Sequence, residues 1–509
     1  MKNFVLVLVL FFTIPLYSQS VQWGSTSDID VDLRRDYAKM YGKYLGSIND
    51  QDIYVHYDDE MDDYYRKYTI SISVVSALQL KSTTKPIELI GKMHNISLID
   101  DKIAILYYFK ESKETQTRLM VNYYDISSLK LVKSDKLYEF VKVNQYIQYV
   151  HYAQSEDQSK HGIIIDLYNG KMEYKKLKFL VYDQNFSLMS EKEITTDENY
   201  EIIFKNSCIS NSGILTAAFY IDEGIVYKGK NRDANGNKID EDDPKYFPEM
   251  EKNIFFLFDG EEIKTLTVKA EKFENDQFIL TVNDCANQKI IAIFKDETKI
   301  CCYLLNFDEE TTSKIYENLE LCPNNRIEKV IRYKDGTNLI VLSNFGYAIP
   351  EKSSIAATMV VPSILLWRNN YKLIGFQDDG TVEFETMVGS VYSLAVYNYV
   401  IFENLFYISQ FIMHNDKLYI VHNTDPEITE SPSTNNFKEN KPKTVSTTKN
   451  IQSRLTIIDS KGSIETKQLY NQKNDEFLLI PTFCILRNSR EIQLTIGTSD
   501  KIGIGKIAF

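Results

Sequence analysis

The stretch from Ile96 to Phe140, ISLIDDKIAILYYFKESKETQTRLMVNYYDISSLKLVKSDKLYEF, constrains the fold more than any other feature of this chain. It reads as four short strands: Ile96–Ile99, Lys102–Phe109, Arg118–Tyr124 and Leu129–Leu137. Asp100-Asp101, a charged loop and Asp125–Ser128 separate them. Short runs of β-branched and aromatic residues, punctuated by Asp, Asn, Ser and Gly, are the signature of strands and turns.

The same unit recurs along the chain. One copy spans Tyr44–Ile90, another Tyr146–Thr196 and another Phe278–Leu321; further copies begin near Ile202, Ile327 and Leu405. Each holds four strand-like runs, and the longer copies carry insertions, which is the periodicity of four-stranded propeller blades. The last unit, FCILRNS, EIQLTIGTSD and KIGIGKIAF, has only three strands. A fourth from Val21–Asp32 would complete it and close the ring, removing exposed strand edges. The expected fold is therefore all-β: one β-propeller domain over residues 21–509, of eight four-stranded blades, with seven as the alternative, closed by an N-terminal strand. Asp335-Gly336, Asn415-Asp416, Asp259-Gly260, Asp379-Gly380 and Lys461-Gly462 stand where hairpin turns are needed, and such residues tolerate positive φ.

Two other architectures compete. Ser390–Met413 is long and apolar, but Asn398, Glu403, Asn404 and Gln410 interrupt it, and it is dense in β-formers. It reads as buried strands rather than a membrane helix. An outer-membrane barrel would alternate lipid-facing and lumen-facing residues throughout. Ile254–Phe258 (IFFLF) and Lys289–Phe294 (KIIAIF) do not alternate. They are apolar on both faces, as stacked sheets require.

Residues 1–20, MKNFVLVLVLFFTIPLYSQS, carry a short positive start at Lys2 and an apolar run Phe4–Leu16. Ser18-Gln19-Ser20 then offers a small-residue cleavage site. This is the pattern of a secretory signal peptide, so an exported protein, periplasmic or extracellular, is expected. No Cys follows the apolar run, which speaks against a lipid anchor. Hydrophobic residues are 43% and charged residues 25%, a globular balance, and the net charge is −13. Nucleic-acid binding wants a basic face, so it is disfavoured, as is adsorption to anionic lipid.

The six Cys are Cys208, Cys285, Cys301, Cys302, Cys322 and Cys484. Export permits disulfides, yet most of these lie inside apolar strand patterns and read as small buried hydrophobes. Adjacent Cys301 and Cys302 are expected on opposite faces of one strand.

From about residue 360 to 509 the chain resembles a group of uncharacterised exported proteins of Gram-negative bacteria. The residues that carry the resemblance are LIGFQDDGTVEFE, FIMHNDKLYIVHN, RLTIIDSKGSIETKQLY and the ending DKIGIGKIAF. The resemblance implies a propeller-like fold and no particular chemistry. Trp-Asp repeat endings, Gly-Gly kelch pairs and sialidase-type boxes are all missing.

Catalytic motifs are absent as well. There is no H-E-x-x-H, G-x-S-x-G, Walker loop or G-x-G-x-x-G. The six His, His56, His94, His151, His161, His414 and His422, show no metal-like spacing and read as surface or strand-end residues. The best metal candidate is Asn231–Pro244, NRDANGNKIDEDDP, where Asp233, Asn235 and Asn237 alternate oxygens and Asp240 and Asp242 follow. Ca²⁺ needs such a set, and it is the one cofactor the sequence suggests. Lys238 occupies the turn position that favours Gly, however, and no Glu stands at the twelfth position. The competing reading is a hairpin about Asn235-Gly236 with a solvated acidic flank. Sugar stacking is the other candidate chemistry. There are 35 Tyr but only two Trp, Trp23 and Trp367, and Tyr is also a favoured strand residue.

Every long insertion falls between the second and third strands of a unit: Gly224–Lys252, Tyr347–Asn370 and Thr424–Ile451. The matching loop of the first unit is Asp58–Arg66, DDEMDDYYR. These loops should rise from one face, through Asp58, Asp59, Asp62, Asp63, Tyr64, Tyr65 and Trp367, and elaborated loops on a rigid scaffold are where binding usually resides. The expected function is a non-catalytic binding or scaffold module for an envelope or extracellular protein or a glycan. The alternative is a propeller enzyme acting on polysaccharide through paired carboxylates.

Overall fold

The computed structural model describes residues 21–23, 27–28, 43–49, 51–61, 66–76, 79–82, 87–90, 92–110, 117–140, 145–155, 157–169, 175–196, 201–222, 252–269, 277–282, 289–295, 299–318, 325–348, 364–389, 392–396, 409–424, 451–471, 478–481, 484–487, 491–497 and 501–508. They form eight antiparallel sheets in chain order and no α-helix.

Sheet one contains Lys43–Ile48, Gln51–Met61 and Arg66–Ser76, with Gln79–Ser82 and Ile87–Ile90 both paired to the third strand. Sheet two is Lys92–Ile99, Lys102–Lys110, Thr117–Asp125 and Leu131–Phe140. Sheet three is Gln145–Gln154, Lys160–Asn169, Lys175–Asp183 and Leu188–Thr196. Sheet four is Glu201–Ile209, Leu215–Asp222, Lys252–Phe258 and Ile263–Lys269. Sheet five is Gln277–Val282, Lys289–Lys295, Ile300–Asn306 and Thr311–Asn318. Sheet six is Asn325–Arg332, Asn338–Ala348, Ile364–Phe376 and Val382–Val388, with Tyr392–Val396 added to its third strand. Sheet seven is Gln410–His414, Lys417–Thr424, Gln452–Ile458 and Ile464–Asn471.

Sheet eight is built from both ends of the chain. Its first position is shared by Leu478–Leu479 and Ile485–Arg487; Glu491–Gly497 and Lys501–Ala508 follow. Gln22–Trp23 and Ser27–Asp28 then pair with Lys501–Ala508 as the outermost member. Trp23 lies against Gly505, where an added Cβ would come within 2.4 Å of the indole.

Each sheet buries both faces, which explains the runs without alternation. In Lys252–Phe258, Phe256 and Phe258 pack toward sheet three, whereas Phe255 and Leu257 pack toward sheet five. In Lys289–Lys295, Ile290, Ala292 and Phe294 face sheet four, and Ile291 and Ile293 face sheet six. Cys301 and Cys302 divide in the same way, one toward each neighbour. Cys301, Cys302 and Cys484 are buried thiols outside any disulfide, so the buried apolar reading holds for these three, whereas Cys208 is half-buried. Apolar clusters of this kind join sheet one to two, two to three, and onward to the junction of seven with eight. Sheet eight meets sheet one through polar contacts. Gln493 donates to the Tyr54 hydroxyl at 2.8 Å, and Arg487 approaches Asp52 at 3.2 Å. Meandering four-stranded sheets stacked face to face in sequence are the construction of a β-propeller.

The first strands of successive sheets approach one another and so lie on the axial side. The first-to-second and third-to-fourth turns gather at one end. The Asp157 amide donates to Asn211 (3.1 Å), the Lys334 amide to Asp416 (2.8 Å), and Lys264 pairs with Asp308 (3.0 Å). Antiparallel alternation therefore places the second-to-third connections at the opposite end. Most third-to-fourth turns are pinned by an Asp that ends the third strand. Asp183 Oδ1 accepts from the amides of Asn185 and Ser187, and Asp459 Oδ1 from those of Lys461 and Ser463. This is the Asx turn.

Strand bounds differ from expectation where pairing outlasts the apolar pattern. Asp58 and Asp59 are ladder residues opposite Thr69 and Tyr68, and pairing continues to Met61 where a loop was expected from Asp58. The insertion expected over Tyr347–Asn370 is shorter for the same reason. Pairing runs to Ala348 opposite Leu365, and Trp367 lies between Gly346 and Ser393. Leu129 is not a strand residue: at φ +52° it closes the turn with Asp125. None of the described helices, there being no α-helix, is long and apolar enough to cross a membrane.

Candidate functional site

The first strands of sheets one, two, three, four and six each carry a register shift about half-way along. It falls between Tyr44 and Gly46, Met93 and Asn95, Ile147 and Tyr149, Phe204 and Asn206, and Ile327 and Lys329. The extra residues are Leu45, His94, Gln148, Lys205 and Glu328. A bulge bends its strand and re-aims side chains, and bulges concentrate where a sheet meets a ligand. Repetition at one level of the axial strands makes this level the candidate site.

The side chains are most informative at sheets two to four. Tyr149 and His151 share one face of the same strand. The His151 ring stacks on Phe204 of sheet four, with centroids 3.5 Å apart and planes 13° apart. Tyr149 stacks on the near side of His151 at 6.1 Å and 29°. Phe204 is braced edge-on by Phe219 at 5.6 Å. Tyr149 remains 51% exposed, so a row of three rings ends in an open tyrosine face. His94 and Lys92 approach from sheet two. Burial drives the His151 imidazole down to about 4, helped by His94 and Lys92, and burial with Lys92 does the same to His94. Both rings are neutral at physiological pH. The Nε2 atoms of His94 and His151 are buried without a hydrogen-bond partner among the described residues. Asp166, 3% exposed, stands opposite Tyr149 on the second strand. Lys205 leans the other way, over the Tyr220 ring at 5.1 Å.

Toward the turn end a second group is linked by hydrogen bonds. Asn95 donates to the Tyr152 hydroxyl at 2.7 Å, and that hydroxyl meets His161 Nδ1 at 2.7 Å. His161 stacks on Phe186 at 4.1 Å. This group fixes the junction of sheets two and three and leaves the row above it as the open chemistry.

The sequence expectations fare unevenly here. Of the histidines expected at the surface or at strand ends, His161 near the start of its strand is 1% exposed and His422 0%, so both are interior. Each meets a hydroxyl, His161 through Nδ1 to Tyr152 and His422 through Nε2 to Thr456. Asp62, Asp63, Tyr64, Tyr65 and the Ca²⁺ candidates Asp233, Asn235, Asn237, Asp240 and Asp242 lie outside the described residues, as do Cys285, Cys322 and residues 1–20. Among the described residues no group of three His, Cys, Asp or Glu side chains could hold a metal ion. The Tyr149–His151–Phe204 row was not singled out by sequence. Its trace there is the segment YIQYVHYA, whose one face reads Tyr, His.

No family model and no curated protein sequence matches the chain. Solved structures do. Dipeptidyl peptidase 4 of Porphyromonas gingivalis is similar at TM-score 0.40 and 10% identity, over 92% of this chain and 58% of the peptidase, so the chain spans little more than half of that protein. The Dos1 propeller is similar at TM-score 0.39 and 8% identity, over 95% of both chains. The polysaccharide lyase Uly1 is similar at TM-score 0.33 and 9% identity, over 97% of this chain and 98% of the lyase. These are likenesses of strand arrangement and carry no activity to this chain.

Proposed function

We propose that this protein is an exported, non-catalytic β-propeller that binds a protein or glycan partner at the axial level of sheets two to four. The observation that carries the reading is the open face of Tyr149, held rigid from behind by His151 and Phe204. A buried stack costs little further ordering when a ligand ring settles on its end, and such preorganisation favours binding. Rigid aromatic anchors also dominate the energetics of binding surfaces. In sheets four and seven the second strand ends, and the third begins, at the end opposite the short turns.

The test is capture by the immobilised mature protein, on a glycan array and from an envelope extract, with Tyr149→Ala as the control. Loss of capture by about tenfold or more is expected, the effect of removing one aromatic anchor. Undiminished capture by the variant removes the axial reading and moves binding to the insertion loops. Depolymerisation of a polysaccharide by the purified protein would instead favour the enzymatic alternative. Export is tested separately: N-terminal sequencing of protein from the native cell should begin between Gln19 and Val21, and a Met1 start defeats it.

A further inference from the structure

We infer that the axial row takes an aromatic side chain from an extended segment of a partner protein, its ring stacked on Tyr149. This rests on the binding reading above and narrows the partner to a protein. The row itself is the first ground. Phe204, His151 and Tyr149 stack in sequence, at 3.5 Å and 13° and then at 6.1 Å and 29°, and Tyr149 is the end that stays 51% exposed. Phe219 supports the far end edge-on at 5.6 Å. An offset ring is the natural next member, because offset stacking is a preferred arrangement of aromatic pairs.

The polar groups around the row are the second ground. On the first strands of sheets two to four, Lys92, Tyr149 and Lys205 are the exposed side chains among those described. An ammonium group donates and does not accept. The acceptors at this level are withdrawn. Asn95 and Asn206 hold the position after the bulge in sheets two and four, as Tyr149 does in sheet three. Asn95 is 7% exposed and donates to Tyr152, and Asn206 Oδ1 accepts from the Ser207 amide at 2.7 Å. Asp166, opposite Tyr149, is 3% exposed. A sugar carries hydroxyl donors around its rim, and each needs an acceptor on leaving water. An aromatic side chain asks only for the ring face.

The backbone is the third ground, because it answers the amides of an extended segment. Among the described residues Gln145–Gln154 is paired on one side only, with Lys160–Asn169. Its other edge is turned to the axis. Such an edge accepts an added strand, with main-chain bonds giving affinity and alternate side chains giving specificity. A strand laid along it would set one side chain across from Tyr149, and aromatic pairs across strands stabilise a sheet.

Selection of short random displayed peptides on the immobilised full mature chain, counter-selected on Tyr149→Ala, tests this. The Tyr149 side chain is exposed, so the variant should melt like the parent. Recovered peptides should share an aromatic residue. Changing it to Ala in one such peptide should weaken binding about tenfold or more. Changing it to cyclohexylalanine, which keeps the bulk and loses the π face, should weaken binding about two- to tenfold, the added value of a ring pair. Tyr149→Leu should remove that second difference. N-methylation should tell most at alternate amides of the peptide, those turned to the axial edge. Recovery of no Tyr149-dependent peptide, or of peptides without an aromatic residue, overturns the inference. Equal binding of the aromatic and cyclohexyl peptides overturns the stack, and N-methylation effects without alternation overturn the added strand. A glycan captured by the parent and lost by Tyr149→Ala overturns the protein partner but leaves the axial reading standing. Undiminished capture by Tyr149→Ala overturns both.

Discussion

Arg487 of the eighth sheet stands 3.2 Å from Asp52 of the first, and Asp52 is only 1% exposed. The two ends of the chain thus meet across a charged pair, whereas apolar clusters join each junction from sheets one and two to sheets seven and eight. Ser47 donates to the same Asp52 oxygen at 2.5 Å, and Glu491 sits between Arg487 (3.6 Å) and Lys506 (3.2 Å). Burial pushes the Asp52 carboxyl above its ordinary range, more than Ser47 and Arg487 bring it down.

That balance predicts how the seam fails. Removing one partner of a buried pair leaves a stranded charge and costs roughly 3–5 kcal/mol. Arg487→Ala should lower stability by that order at neutral pH, read from urea unfolding. Because the folded pKa of Asp52 is raised, the carboxyl adds stability at low pH and loses it as pH rises through that value. The cost of Arg487→Ala should therefore shrink on acidification, once Asp52 is protonated. Asp52→Asn in the Arg487→Ala background should recover much of the loss. A cost that is small and independent of pH would show that the seam does not depend on this pair.

His94 and His151 give the opposite sign. Their folded values lie near 4, against an ordinary 6.5. The unfolded chain takes up protons that the folded chain refuses, so stability should fall as pH drops from about 6.5 to about 4 and then level off. One pKa unit is worth about 1.4 kcal/mol, which sets a ceiling of about 3.5 kcal/mol for each ring, less for two coupled rings. Carboxylates titrate in the lower part of this window, so the comparison is with His94→Gln/His151→Gln. The double variant should have a flatter pH profile above about 5. A profile that coincides with the parent's would mean that the rings are not buried neutral.

The repeat, the turns and the two-faced strands were legible in the sequence because each is local. Apolar runs without alternation mark sheets covered on both sides, and Asp-Gly or Asn-Asp pairs mark positive φ, as Asn415 (+47°) and Asp416 (+59°) confirm. The N-terminal segment could be assigned to the last sheet because that unit lacked a strand. The axial row was not legible, because its members lie on three sheets. Tyr149 and Phe204 are 55 positions apart and look like ordinary strand residues. Only the bulges bring them to one level, and a bulge changes pairing without leaving a mark in composition. Asp58, Asp59 and Trp367 misled for the converse reason. Polar or bulky residues at a sheet's end resemble loop, whereas backbone pairing carries through them.

Two turn glycines provide a last test, of how tightly neighbouring sheets are packed at the turn end. Gly336 (φ +95°) and Gly380 (φ +86°) both hold conformations that L residues resist. Alanine at either should cost about 1–2 kcal/mol for that conformation alone. Their surroundings differ. A Cβ on Gly336 would meet only the flexible ends of Gln377, at 3.7 Å, and Arg332, at 3.9 Å. A Cβ on Gly380 would fall 1.7 Å from the carbonyl oxygen of Ile315, in the fourth strand of sheet five. That atom is backbone and cannot swing aside, so sheets five and six would have to part. Gly380→Ala should therefore be the more damaging by several kcal/mol, in the range of exceptional single substitutions. It should also lower amide protection in Thr311–Asn318, while Gly336→Ala leaves that strand protected. Equal melting temperatures for the two variants would mean that the turn of sheet six does not rest on sheet five.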